Sequence, residues 1–406
     1  MNYAYHYLPA GAARYTGIAD AHARFVMEKQ LKNKESWEKF VQVFVERPDF
    51  CDWGWRGEYY GKMMRGACLT YRYAPDEQLY DILYKTVSDL LDTQDELGRI
   101  ASYPVSHEFG GWDIWARKYV IVGSLYFYGI CRDEAFRARI LDCMEKHVDY
   151  LIAKIGNGEG QKSILDTSAA WGGLNSSTIL EPVIELYKLT GKQKFLDFGK
   201  YVLDQGGCHG GNLLELAEAD EIYPYQYPQV KAYEMMSYFE GALEYYRVTG
   251  DERCKTAVIN FFNKVRRSDI TIIGSAGCTH ELFDNSAKKQ TEYSEQIMQE
   301  TCVTVTYMKL CYQLLCLTGG AKYARYMEQA AYNAMLGSIN FEGNVVIGEP
   351  ENQKLRFSDE FIAKMGGFTF DSYSPLYKNK RNRAIGGFLA MDNATKSYGC
   401  WVCIGA

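Results

Sequence analysis

The chain has 406 residues, 47% of them hydrophobic, and a net charge of −6. That is enough apolar material for a large buried core, and the charge offers no basic footprint for nucleic acid. No apolar run of about 18 residues is present to span a membrane, and the opening MNYAYHYLPAGAARY lacks the charged-then-apolar pattern of a secretory signal.

In chain order, residues 20–46 read as one amphipathic helix. Five segments of a common kind follow, at 68–91, 125–148, 182–205, 241–265 and 311–335. Each has apolar residues at helical spacing, a tight turn built on Pro-Asp, Arg-Asp or Thr-Gly, and then a second run at the same spacing. The turns at Asp76, Asp133, Gly191 and Gly250 follow one another at steps of 57, 58 and 59 residues. The next, at Gly319, comes after 69. A period this regular means stacked supersecondary units. Units of about 60 residues with long loops fit a closed ring of helical hairpins better than a short-repeat solenoid. The expected fold is therefore all-α, an (α/α)6-type toroid forming a single domain over 1–406. The longer last interval points to an insertion at 268–298.

Loops between the hairpins, at 51–62, 101–119, 166–177 and 208–229, are rich in Trp, Tyr and Gly. On one rim they would make a polar, aromatic pocket suited to a sugar. Trp112, Trp115 and His107 are candidate sugar contacts, although Trp112 and Trp115 could equally be rim packing. Short β-prone runs such as FEGNVVIG and RAIGGFLAM make 339–398 a small β-rich excursion. The chain ends at Ile404-Gly405-Ala406 with no closing helix for a sixth hairpin, so a truncated chain is expected.

Most of the twelve cysteines, including Cys68, Cys131, Cys143, Cys311 and Cys316, sit singly in apolar helical patterns. That is the usage of reduced, buried thiols in a cytoplasmic protein. Three short segments differ: GSAGCTHELF with Glu281, Glu300-Thr301-Cys302 at a helix mouth, and Cys400-Trp401-Val402-Cys403. Cys302, Cys400 and Cys403 with Glu281 and Glu300 suggest a thiolate-rich Zn2+ site beside a catalytic acid. Taken singly, Cys302 reads more simply as a core thiol, Cys400 and Cys403 as a redox pair, and Glu281 as a solvated loop carboxylate.

The order GSAG…HELF, ETC, a helix ending LTG, KYARYMEQAAYN and a Cys-rich tail resembles the DUF1680 family, the β-L-arabinofuranosidase-like (GH127-like) glycoside hydrolases. WGWRGEYYGK, WDIWARKY and SSTILEPVIELYKLTG are similar to that family's earlier hairpins. The resemblance covers most of 50–406. It implies that Glu300 and Cys302 bind zinc together with a cysteine of the tail, that Glu281 is the acid/base, and that Glu328 lines the sugar pocket. The family's tail cysteines are usually adjacent. Aligning on Ile-Gly places Cys403 at the metal-ligand position and Val402 at the nucleophile position, leaving Cys400 to replace the nucleophile. The family's sugar-contacting histidines have no match at His107, His147 or His209, so the sugar itself is not carried over. Its C-terminal β-sandwich domains are absent from these residues.

A retaining glycosidase needs a nucleophile and a proton donor flanking the anomeric carbon, and a metal-held thiolate can replace one of the usual carboxylates. The expected activity is retaining hydrolysis of an L-arabinofuranosyl-like or related glycan, with Cys400 attacking and Glu281 protonating. The rivals are a metal-independent toroid epimerase or uronide hydrolase using Asp113 and Asp166, and a degenerate carbohydrate-binding paralogue. A homodimer stays open.

Overall fold

The computed structural model describes residues 4–5, 8–168, 170–277, 281–292, 299–340 and 368–369. The helices come in pairs. After α1 (Ile18–Val26) and α2 (Lys34–Glu46) come α3 (Glu58–Tyr73) with α4 (Glu77–Leu91), and α5 (Asp113–Tyr128) with α6 (Glu134–Lys154). A short α7 (Leu174–Ser177) leads into α8 (Leu180–Thr190), which pairs with α9 (Gln193–Asp204). The chain continues through α10 (Leu213–Ala219), the pair α11 (Ala232–Thr249) and α12 (Glu252–Ser268), and a short α13 (Ser286–Lys289). The last pair is α14 (Thr301–Thr318) with α15 (Ala321–Ala330), the latter prolonged by a π-helical turn at Ala331–Met335.

The repeated turn has a local cause. Asp76, Asp133 and Asp251 cap the second helix of their hairpins, accepting from the backbone N–H of Leu79 (2.8 Å), Phe136 (3.1 Å) and Arg253 (3.1 Å). Gly191, Gly250 and Gly319 end the first helix at φ 65°, 77° and 69°, where a Cβ is costly.

The two helices of each hairpin play different parts. In α3, α5, α11 and α14 buried residues come from all sides, and α8 packs between α5 and α11 to complete a file of inner helices. The outer helices α4, α6, α9, α12 and α15 bury one face only. The ring is an (α/α) toroid, as the period predicts. Inner helices crowd where glycine allows it: a Cβ on Gly61 of α3 would collide with the carbonyl oxygen of Tyr119 on α5.

All five inner helices run the same way, so the short hairpin turns gather at one pole and the long loops at the other. Polar side chains brought to the axis pair across it. Lys309 of α14 is ion-paired with Glu181 of α8 and with Glu240 of α11 at 3.0 Å. Lys188 joins Glu185 (2.6 Å) and Glu244 (2.9 Å), and Gln313 donates to Glu244 (3.0 Å). A cavity of about 410 Å³ opens among these groups, at the short-turn pole and away from the loops.

Three sequence expectations need correction. The single helix at 20–46 is two, joined by a π-helical turn at Met27–Leu31. Asn33 turns extended and accepts from Ser36 N–H (3.2 Å), a local bond that competes with continuing the helix. The loop at 208–229 contains a two-stranded ribbon, β1 (Gly207–Cys208) with β2 (Gly211–Asn212), and then α10. Helix α10 carries a readable start signal, Asn212 three residues ahead of Glu215, and Asn212 accepts from the N–H of Leu214 (3.0 Å) and Glu215 (3.2 Å). The loops at 51–62 and 101–119 end early, since α3 begins at Glu58 and α5 at Asp113. Of the β-rich excursion, β3 (Ile339–Asn340) pairs antiparallel with β4 (Phe368–Thr369), and the rest lies outside the described residues.

Replacing Lys309 with Met would strand two buried carboxylates. Lys309→Met is expected to cost about 3–5 kcal/mol in urea denaturation. A loss under about 1 kcal/mol would mean the axial charges are solvated rather than mutually compensated.

Candidate active site

At the long-loop pole the chain brings together segments far apart in sequence. Glu300 occupies the N-cap position of α14 and Cys302 lies in its first turn, with the two residues 3% and 2% exposed. A carboxylate and a sulfur therefore sit side by side at a helix mouth. The preceding segment is tied to that turn: Thr304 donates to Ser275 Oγ (2.7 Å), and Thr271 donates to Gln299 Oε1 (2.6 Å). Gly277 packs between Glu281 and α14. A Cβ there would meet Glu281 Cα at 3.3 Å and Val303 Cγ2 at 3.4 Å, so Glu281 lies beside the first turn of α14.

Glu281 has a φ of 67°, in the left-handed region. A backbone clip holds it. Ala232 N–H donates to the Glu281 carbonyl (3.0 Å) and Phe283 N–H to the Val230 carbonyl (2.8 Å), with Lys231 opposite Leu282. The clip lays the Lys231 ammonium against the Glu281 carboxylate as an ion pair, the two side chains being 10% and 16% exposed. Lys231 also lies 5.8 Å from the centre of the half-buried Trp171 ring. One turn along α11, Glu234 is 3% exposed with one carboxylate oxygen unpartnered among the described residues. Burial holds its carboxyl above the usual range, against the opposing pull of Lys231.

Beneath the loops, Glu58 accepts from Trp115 Nε1 and from Lys62 (3.0 Å), whose ammonium lies 4.5 Å over the Tyr233 ring. Lys118 donates to Ser237, and burial pushes its ammonium down to about 7.

A family model described as "Beta-L-arabinofuranosidase, GH127 catalytic domain" matches residues 13–347, most of the chain. The chain belongs to the GH127 β-L-arabinofuranosidase catalytic-domain family. It is 20% identical over 364 residues to a non-reducing end β-L-arabinofuranosidase of Bifidobacterium longum subsp. longum, covering 80% of this chain and 51% of that protein. Among solved structures it is similar to a GH127 β-arabinofuranosidase (TM-score 0.57, 19% identity, 79% of this chain and 51% of that one). It is similar also to the GH127 β-L-arabinofuranosidase Ara127N of Geobacillus stearothermophilus T6 (TM-score 0.54, 19% identity, 84% and 57%). The chain thus spans about half the length of these relatives.

Within this GH127 chain the remaining candidates are spread unevenly. Trp112 is half-buried at the rim, edge-on to Trp55 at 6.3 Å. Trp115 is 2% exposed, with Lys118 4.7 Å over its ring and Tyr119 and Tyr233 edge-on to it, so it braces the floor and offers no open face. His107 is exposed, its ring tilted at 30° against Phe50 at 4.4 Å. Glu328 is exposed on the outer helix α15. Cys400 and Cys403 lie outside the described residues. Asp113 is fully buried, bonded to Arg117 (3.0 Å) and to Phe109 N–H (2.9 Å), a structural anchor. Asp166 meets His209 Nε2 at 2.8 Å on the exposed rim.

For the zinc implied by the resemblance, Glu300 and Cys302 fit as two buried donors two positions apart. Among the described residues no group of three or more ligand-type side chains gathers. Cys68, Cys131, Cys143, Cys311 and Cys316 are free and buried.

The residues that sequence reasoning passed over are Lys231, Trp171 and Glu234. A lysine in the run Gln229-Val230-Lys231 carries no motif, and only the cross-chain clip gives it meaning.

The turn after Glu281 hangs on one buried carboxylate. Asp269 Oδ1 accepts from the N–H of Asp284 (2.8 Å), Asn285 (2.9 Å) and Ser286 (3.3 Å). Asp269→Ala should destabilise the fold by about 1.5–3 kcal/mol, read by chemical denaturation, because these are bonds to a charged acceptor. An unchanged midpoint would show that the turn is held elsewhere.

Proposed function

We propose that this chain is the catalytic part of a glycoside hydrolase acting on L-arabinofuranosyl-like glycans with retention. The observation that carries this reading, beyond family membership, is the placing of Glu281 against the first turn of α14, which bears Glu300 and Cys302. Glu281 would protonate the glycosidic oxygen as the C–O bond breaks. Cys400 would attack the anomeric carbon from the opposite face, and Glu281 would then take a proton from the water that releases the sugar. Zn2+ held by Glu300, Cys302 and Cys403 would keep a coordinated sulfur in its thiolate form. The aromatic rim of Trp55, Trp112 and Trp171 would give the sugar its apolar faces.

A second reading keeps the Asp166–His209 pair as the acid–base dyad of a metal-independent epimerase, favoured by its 2.8 Å contact at the same rim.

Aryl β-L-arabinofuranosides and metal analysis of the reduced protein separate the two. The hydrolase reading expects about one zinc per chain and losses of about 100-fold or more in kcat/KM for Glu281→Gln and Cys400→Ser. Full activity without zinc, dependent on His209, would support the epimerase class. Loss with Cys403→Ser but not Cys400→Ser would reassign the nucleophile.

A further inference from the structure

Glu281 stands on the connection into α14, between Gly277 and the turn that Asp269 holds at 284–286. It follows Gly277, itself at φ 74°, by four residues, and its own backbone is left-handed. The residues entering α11 reach it through the clip between 230–232 and 281–283. The clip has a chemical consequence. It puts an ammonium, at the N-cap position of α11, in direct contact with the Glu281 carboxylate, on a segment that passes beside the first turn of α14.

We propose that Lys231 is the positioning residue of the acid/base, aiming the Glu281 carboxyl and stabilising the carboxylate left after proton transfer. This rests on reading Glu281 as the acid/base. When the glycosidic C–O bond breaks, its electron pair goes to the leaving oxygen and the Glu281 proton follows. The negative charge so created on Glu281 faces the Lys231 charge in a mostly desolvated contact, where the attraction far exceeds its value in water. Lys231 therefore strengthens Glu281 as an acid in the step that expels the leaving group. It weakens Glu281 as a base when water is activated. Glu234, the other carboxylate near Lys231, is buried, and burial opposes the pull of Lys231 on it.

The assignment separates electrostatic aim from mere bracing. A brace, once lost, slows every substrate alike. Loss of acid strength and aim is felt most where the leaving group needs its proton most.

The experiment compares wild type, Lys231→Met, Lys231→Arg and Glu281→Gln of the full chain on aryl and alkyl β-L-arabinofuranosides of graded leaving ability. Lys231→Met is expected to lower kcat/KM by up to about 100-fold on alkyl and unactivated aryl substrates. It should lose far less on a dinitrophenyl substrate, and Lys231→Arg should recover most of the loss. An equal loss across the series, or none, overturns the proposal. Glu281→Gln shows where the fault lies. If Glu281→Gln lacks the leaving-group-dependent loss, the acid/base reading beneath the proposal falls. If Glu281→Gln has it and Lys231→Met does not, only Lys231 is misassigned. Hydrogen exchange reads the aim without turnover. The amides of 281–284 should exchange faster in Lys231→Met than in wild type, and unchanged protection would overturn the positioning role.

Discussion

Five parallel helices buried on nearly every side set the terms for this molecule. A helix with no solvent face must satisfy every polar side chain it carries from its neighbours, since an uncompensated buried charge costs several kcal/mol. The axis therefore carries Lys309 between Glu181 and Glu240, and Lys188 between Glu185 and Glu244. Each link joins different hairpins or braces one that does. Such pairing adds little net stability over an apolar axis, but it restricts which helix can stand beside which.

Parallel inner helices also decide where chemistry can occur. With every tight turn at one pole, every long connection must cross the other. Glu281, Lys231, Glu300 and Cys302 come from segments up to 71 positions apart, Lys231 to Cys302. They meet because 269–300 is the connection into α14 and 205–231 is the connection into α11. A cavity of about 410 Å³ forms at the turn pole, between paired charges and away from the loops that carry Glu281. The loop pole is marked instead by its groups. These are a lysine–glutamate pair withdrawn from water, the Glu234 carboxylate with one oxygen unpartnered among the described residues, and a buried carboxylate and sulfur at a helix mouth.

Burial sorts the aromatic candidates in a way that residue type does not. Trp112 and Trp115 are one helical turn apart in a segment that reads as a sugar platform, yet Trp115 gives its Nε1–H to Glu58 and its faces to Lys118, Tyr119 and Tyr233. Trp171, at a turn with φ 54°, keeps part of its surface open beside Lys231. Asp113 is consumed by Arg117 and a backbone N–H. The same residue types serve as scaffold or as rim, according to which neighbour arrives first.

The sequence by itself determined the helical hairpins, their turns and the place of Glu300 and Cys302 at a helix start. Those features are local: a capping aspartate, a glycine in the left-handed region and apolar spacing act within a few residues of themselves. It also marked the toroid, because a fixed period leaves few ways to bury every unit. Only the tertiary structure decided that Lys231 belongs to Glu281, that Trp115 faces inward, and that Glu328 stands on the outer ring. Such facts depend on contacts between segments brought together by the packing of the inner helices. No periodicity or motif within a single segment records which distant neighbour it will meet.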